Sequence, residues 1–175
     1  MAHPITKPEF ERVLTISHEM DRFVPESTRG SEAFRAELSG FLVVSLAAGY
    51  ENAVKSIMVS HASQKHPDFE NFAARNFEKL SSKVRINDLK RYSRLFGDEV
   101  EANFKLLLNS RRIRISKATG FNIESRYEQI LNWRHEYAHA GVKNTTITEA
   151  REFHRYALHV VECFALAFDL TPPAP

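Results

Sequence analysis

The segment from Ser31 to Ala62 constrains this chain more than any other. Its pattern predicts one long helix capped by Ser31, and its centre (Phe41, Leu42, Val43, Val44, Leu46, Ala47, Ala48) is apolar all round. A helix with no polar face is buried on every side, so other helices must surround it. Ala47, Ala48 and Gly49 are small enough to let a neighbouring helix come close. The uncharged run within it, Gly40 to Tyr50, is shorter than the roughly 20 residues that a bilayer requires. The expectation is a core helix and no membrane association.

Helical signals continue on both sides. Thr6-Lys-Pro-Glu9 is a capping box with an early proline, and Phe10, Val13, Leu14, Met20, Phe23 and Val24 largely share the face that follows. Pro25 to Gly30 reads as a connector. Pro67-Asp68 predicts a shorter helix to about Leu80, and Asn87 to Phe96 a basic one. After a break at Gly97, Asp98 to Leu108 resumes. Ser110 to Gly120 (Ser-Arg-Arg-Ile-Arg-Ile-Ser-Lys-Ala-Thr-Gly) is the least helical stretch, and its alternation predicts a short strand or an ordered basic loop. Asn122 then caps a helix that runs to Ala140 and ends at a C′ glycine, Gly141. Thr146-x-x-Glu149 opens a last helix with Phe153, Tyr156, Ala157, Val160, Phe164 and Phe168 on one face. With no internal repeat and no linker, the expected architecture is an all-α, single-domain bundle of six or seven helices. It covers residues 1–175, with a core over about 8–168 and a Pro-rich tail, 171–175, that frays.

Composition narrows the class. A chain of 175 residues suits one domain, and 43% hydrophobic with 26% charged residues is the balance of a soluble globular protein. No basic stretch leads into an apolar one after Met1, so no signal peptide is expected. A single cysteine, Cys163, excludes an internal disulfide and suits a reducing cytoplasm. It stands in an apolar helical pattern and reads as core. The net charge of +2 is unevenly spread: residues 79–117 hold 11 Lys and Arg against 4 Asp and Glu, which leaves the remainder net negative. Such asymmetry suggests that the middle of the chain meets a polyanion, the other reading being a solvated helical face.

Residues 134–139 read Arg-His-Glu-Tyr-Ala-His. On their helix, Ile123, Tyr127, Ile130, Leu131 and Ala138 fall within about 100° of arc, and Arg134 lies inside it. A guanidinium there is costly unless it is paired or opens onto a site. One reading is an internal salt bridge to Glu51 on the central helix; the other is a functional site. His135-Glu136-x-x-His139 is also the zinc-protease pattern, with imidazoles at i and i+4. That chemistry needs a third protein ligand and an extended edge strand. The longer zinc pattern has Gly and His where this chain has Val142 and Thr145. Glu149, Glu152, His154 and Glu162 are candidates for the third ligand, and nothing singles one out.

The stretch from Tyr127 to Gly141 (Tyr-Glu-Gln-Ile-Leu-Asn-Trp-Arg-His-Glu-Tyr-Ala-His-Ala-Gly) resembles the motif helix of the HEPN superfamily, in particular its RiboL-PSP subgroup. There an apolar helix carries Arg, a polar residue, then Ala-His and a glycine stop. The long apolar helix with Gly49-Tyr50-Glu51-Asn52-Ala53 and the closing amphipathic helix are similar to that family too, over about residues 35–168. This chain has His135 where the family commonly has Asn, Tyr137 in place of an aliphatic residue, and Ala140 before the glycine. A second Arg–His spacing, Arg12-x5-His18, shows that the bare pair is a weak signal.

The resemblance implies a metal-independent endoribonuclease without cofactor, in which an RNA 2′-hydroxyl attacks the adjacent phosphate. Such a step needs a base, an acid and a cation for the growing charge. His139 is the implied proton-transfer group, since imidazole titrates near neutrality, and Arg134 the bidentate grip on phosphate oxygens. His135 is read as a substrate-orienting or second proton-transfer group, or else a surface histidine. Glu51 and Tyr137 support the site, and Glu136 is solvated. The family also implies a homodimer whose motif helices meet across a two-fold axis, and a toxin or antiviral-defence nuclease restrained by an antitoxin or other partner. Lys83, Arg85, Arg111, Arg112 and Arg114 are expected to track the RNA backbone. The rival reading is a catalytically silent module that binds RNA, nucleotide or protein and keeps Arg134 and His139 as structural pieces.

Overall fold

The computed structural model describes Pro4 and residues 7–78 and 84–169. These form seven helices and no strand: α1 (Lys7–Phe23), α2 (Glu32–Ser63), α3 (Pro67–Asn76), α4 (Ile86–Leu95), α5 (Asp98–Thr119), α6 (Ile123–Ala140) and α7 (Ile147–Asp169). The all-α bundle expected from the pattern is therefore present. α2 is its spine and packs against α1, α3, α6 and α7, while α7 lies between α2, α5 and α6. The Thr6–Glu9 cap, the segment around Leu80, Lys83 and the 171–175 tail fall outside the described residues.

α2 is, among the described residues, the one helix long and apolar enough to cross a bilayer, and 56% of that apolar window is buried in the bundle. Burial on every side does not hold, however. Phe41 is 54% exposed, and Val44 and Ala48 are half-buried. These three follow one another at i, i+3 and i+7, so they mark a single stripe of α2 that its neighbours cover only in part. Ser31 precedes α2 as expected, but its hydroxyl donates to the Thr28 carbonyl at 2.7 Å and does not cap the helix. Along α1, Phe10 and Val13 are buried, whereas Leu14 and Phe23 stand exposed.

The largest departure is α5, which continues unbroken through the stretch expected to be strand or loop. It begins after Gly97 with three acidic residues in its first turn and stops at Gly120, whose φ of 78° is the left-handed cap. Val100, Phe104 and Leu108 are buried, and the half-buried Arg111 and Ile115 extend the same 3.6-residue stripe. A charged residue at position 111 hides that period in the sequence. In the fold Arg111 reaches Glu162 Oε2 at 3.4 Å, and His159 Nδ1 lies 2.9 Å from the same oxygen. Glu162 is buried, so this pairing satisfies a charge inside the α5–α7 seam. The adjacent Cys163 is buried as expected, and burial pushes its thiol up to about 11.

Three polar rings sit in the deepest part of the core. Tyr50, Tyr127 and His154 are essentially inaccessible. The Tyr127 hydroxyl donates to the Val84 carbonyl at 2.6 Å. Tyr50 and His154 Nδ1 are 3.0 Å apart, and burial drives the imidazole down to about 4. The ring is therefore neutral. With Tyr50 donating to Nδ1, the hydrogen resides on Nε2, which has no partner among the described residues.

Candidate active site

α6 carries residues 134–139 at its exposed end. Asn122 opens the helix as expected, its side-chain oxygen accepting from the Glu124 and Ser125 amides at 2.9 and 3.3 Å. Gly141, at φ 63°, closes it, and its amide donates to the Tyr137 carbonyl at 2.9 Å. Ile123, Tyr127, Ile130 and Leu131 are buried, as is Trp133, whose ring lies 4.7 Å from that of Phe153 on α7. Ala138 was expected on this apolar arc and is exposed, together with His139 and Ala140. Trp133 and Tyr137 take the packing positions instead, which leaves the last turn's other side in solvent.

Arg134 is half-buried and makes no ion pair among the described residues; the expected bridge to Glu51 does not form. Arg134 and Glu51 nevertheless line one cavity of about 70 Å³ together with Arg85, Leu131 and His135. Arg85 is held there by α6. Its guanidinium donates to Glu128 Oε2 at 2.6 Å and to Asn132 Oδ1 at 2.7 Å, while Glu128 Oε1 accepts the Ile86 amide at 2.9 Å. The Arg134 guanidinium, the Arg85 guanidinium already paired with Glu128, an imidazole and the Glu51 carboxylate thus border one cavity, where Arg134 can grip a small anionic group.

His135 and His139 are both exposed, and their ring centroids are 4.4 Å apart. His135 links the two parts of the site, since it borders the cavity and stands beside His139. Glu136, expected to be solvated, accepts from the Asn144 side chain at 3.0 Å. Tyr137 lies against α2. Its hydroxyl donates to Glu37 Oε2 at 3.1 Å, its ring meets that of Phe41 edge-on at 5.8 Å, and it covers the backbone of Gly40.

The basic residues do not gather at one place. Arg85 joins the site, as just described. Arg112 pairs with Glu124, 3.4 Å away, at the opposite end of α6, about 15 Å along the helix from Arg134. Arg111 is committed to Glu162, and Arg114 is exposed near the end of α5. Glu37, Gly40, Glu128, Asn132 and Lys143 were not anticipated. Glu128 and Asn132 precede His135 and His139 at helical spacing, the one signal that could have pointed to them.

For the zinc pattern, no three His, Cys, Asp or Glu side chains gather among the described residues. Three of the candidate third ligands are engaged elsewhere: Glu149 accepts from Thr145 at 3.0 Å, His154 is buried beside Tyr50, and Glu162 faces Arg111.

The family model described as RiboL-PSP-HEPN matches residues 10–169. No curated protein and no solved structure matches the chain.

Proposed function

Because the chain belongs to the RiboL-PSP-HEPN family, we propose that it is an endoribonuclease that cleaves RNA without a metal ion, by attack of the 2′-hydroxyl on the adjacent phosphate. One observation carries this reading: half-buried Arg134 has no ion pair among the described residues and borders a cavity with Arg85, Glu51 and His135, beside the exposed His139. A guanidinium left unpaired at such a depth is available to an incoming phosphate. His139 transfers the proton, Arg134 and Arg85 hold phosphate oxygens, and His135 orients the substrate or supplies the second proton-transfer group.

A homodimer completes the site in this reading. Two motif helices meeting across a two-fold axis would bring two copies of Arg134 and His139 to one cleft. The partly exposed stripe of Phe41, Val44 and Ala48, which begins where Phe41 meets Tyr137 of α6, supports such an arrangement. The exposed Arg114 contributes a phosphate contact at a distance from the cleavage site. Family membership further supports a cytoplasmic toxin or defence nuclease with an inhibitory partner.

The test is cleavage of a fluorogenic RNA in excess EDTA by the native chain, His139→Ala and Arg134→Ala. Cleavage by the native chain and its loss in both variants is the expected result. Mixing the two variants should restore part of the activity through a composite dimer site. RNA binding with no cleavage by any of the proteins would replace the nuclease with a binding module.

A further inference from the structure

We infer that Glu37 is a positioning residue for the end of the motif helix, an assignment that rests on the ribonuclease reading. Its carboxylate takes two donors that flank His139 in sequence: the Tyr137 hydroxyl at 3.1 Å and the Lys143 ammonium. The left-handed turn at Gly141 lies between them. One side chain of α2 therefore fastens both the last turn of α6 and the segment that leaves it.

Neighbouring residues of α2 complete the grip. Gly40 lets the Tyr137 ring lie directly on the helix backbone, and Phe41 meets the ring's edge. The buried Ser39 hydroxyl lies 2.8 Å from the Thr145 carbonyl. Residues 37, 39, 40 and 41 thus touch 137, 143 and 145. Apart from the Glu136–Asn144 bond, the exposed Ala138, His139 and Ala140 otherwise depend on the closing hydrogen bonds of a helix end, and helix ends fray. Chemistry that demands near-attack geometry loses rate steeply when a group shifts by about 1 Å.

The Lys143 hydrogen bond, ahead of the opposing desolvation, keeps the Glu37 carboxyl below its ordinary range, so it stays ionised at neutral pH. An exposed pair of this kind adds little to stability. Replacing Glu37 should therefore move His139 without unfolding the chain.

Glu37→Ala and Glu37→Gln in the full chain test this, read by amide hydrogen exchange over residues 138–145 and by kcat and KM on a fluorogenic RNA in EDTA. Glu37→Ala should raise exchange there about tenfold and lower kcat about tenfold, with KM held within about twofold. Glu37→Gln keeps an acceptor for Tyr137 and should recover most of both effects. Unchanged exchange in Glu37→Ala overturns the assignment, and so does raised exchange with unchanged kcat. A native chain that cleaves no RNA overturns the ribonuclease reading instead; the exchange result then decides alone whether Glu37 holds the helix end.

Discussion

His135 and His139 stand with their ring centroids 4.4 Å apart on the exposed last turns of α6. One chain thus presents two imidazoles to the same space, with Arg134 on the adjoining stripe. Since His139 would transfer the proton, His139→Ala should lower kcat by about 100-fold or more, within the usual range for general acid–base groups. His135→Ala should cost less, about tenfold, as expected of an orienting group. Both residues are exposed, so neither variant should melt more than a few degrees below the native chain. Steady-state kinetics in EDTA with a thermal melt check the pair, and equal losses in both variants would make His135 a proton-transfer group in its own right.

The Tyr137 ring of α6 lies directly on α2 at Gly40. A Cβ at position 40 would collide with Cδ2, Cε2 and Cζ of the ring. Gly40→Ala should therefore expel Tyr137 from α2, at a cost of about 1–3 kcal/mol in urea unfolding. Gly40→Ala combined with Tyr137→Leu should be less destabilised than the sum of the two single changes, because the smaller side chain leaves room for the methyl group. Strict additivity would show that the two residues are not coupled.

That contact also marks the limit of what could be read beforehand. The ends of α6 were legible because Asn122 and Gly141 act locally, within five residues of the groups they satisfy. The core of α2 and the face of α7 were legible as patterns of apolar residues. The continuation of α5 was not, since Arg111 occupies a stripe position whose partners, His159 and Glu162, are about 50 residues away in sequence. The exposure of Phe41 was missed for a related reason: an all-apolar helix says that burial is needed but not where its neighbours cover it only in part. Arg134, His135 and His139 could be picked out from their spacing, whereas Arg85's place beside them depends on Glu128 and Asn132. Glu37 and Lys143 carry no motif, and only the packing of α6 on α2 brings them to Tyr137.

His154 makes stability depend on pH. Its folded-state value is lowered to about 4 from an ordinary 6.5, so between those values the unfolded chain binds a proton that the folded chain rejects. The contribution is complete above about pH 6.5 and is lost as the pH falls toward 4, a change of about 3 kcal/mol. His154→Gln retains an acceptor for the Tyr50 hydroxyl and removes the titration. Urea unfolding from pH 7.5 to 4 should show a shallower decline in the variant than in the native chain, and parallel curves would place the acid sensitivity in other groups.

Arg111 and Arg114 stand three residues apart on α5, yet they should fail in different ways. Arg111 lies against the buried Glu162, and its removal leaves a carboxylate inside the seam with His159 beside it. Arg111→Ala should destabilise the chain by about 2 kcal/mol in urea, below the usual range for breaking a buried pair because His159 remains. Arg114 is exposed and has no ion pair among the described residues. Arg114→Ala should leave stability within about 0.5 kcal/mol of the native chain. It should weaken RNA binding at low salt and reduce the slope of log affinity against log salt by about one, as for a single phosphate contact. Fluorescence anisotropy with a labelled RNA over a salt series measures the second effect, and an unchanged slope would remove Arg114 from the RNA-binding surface.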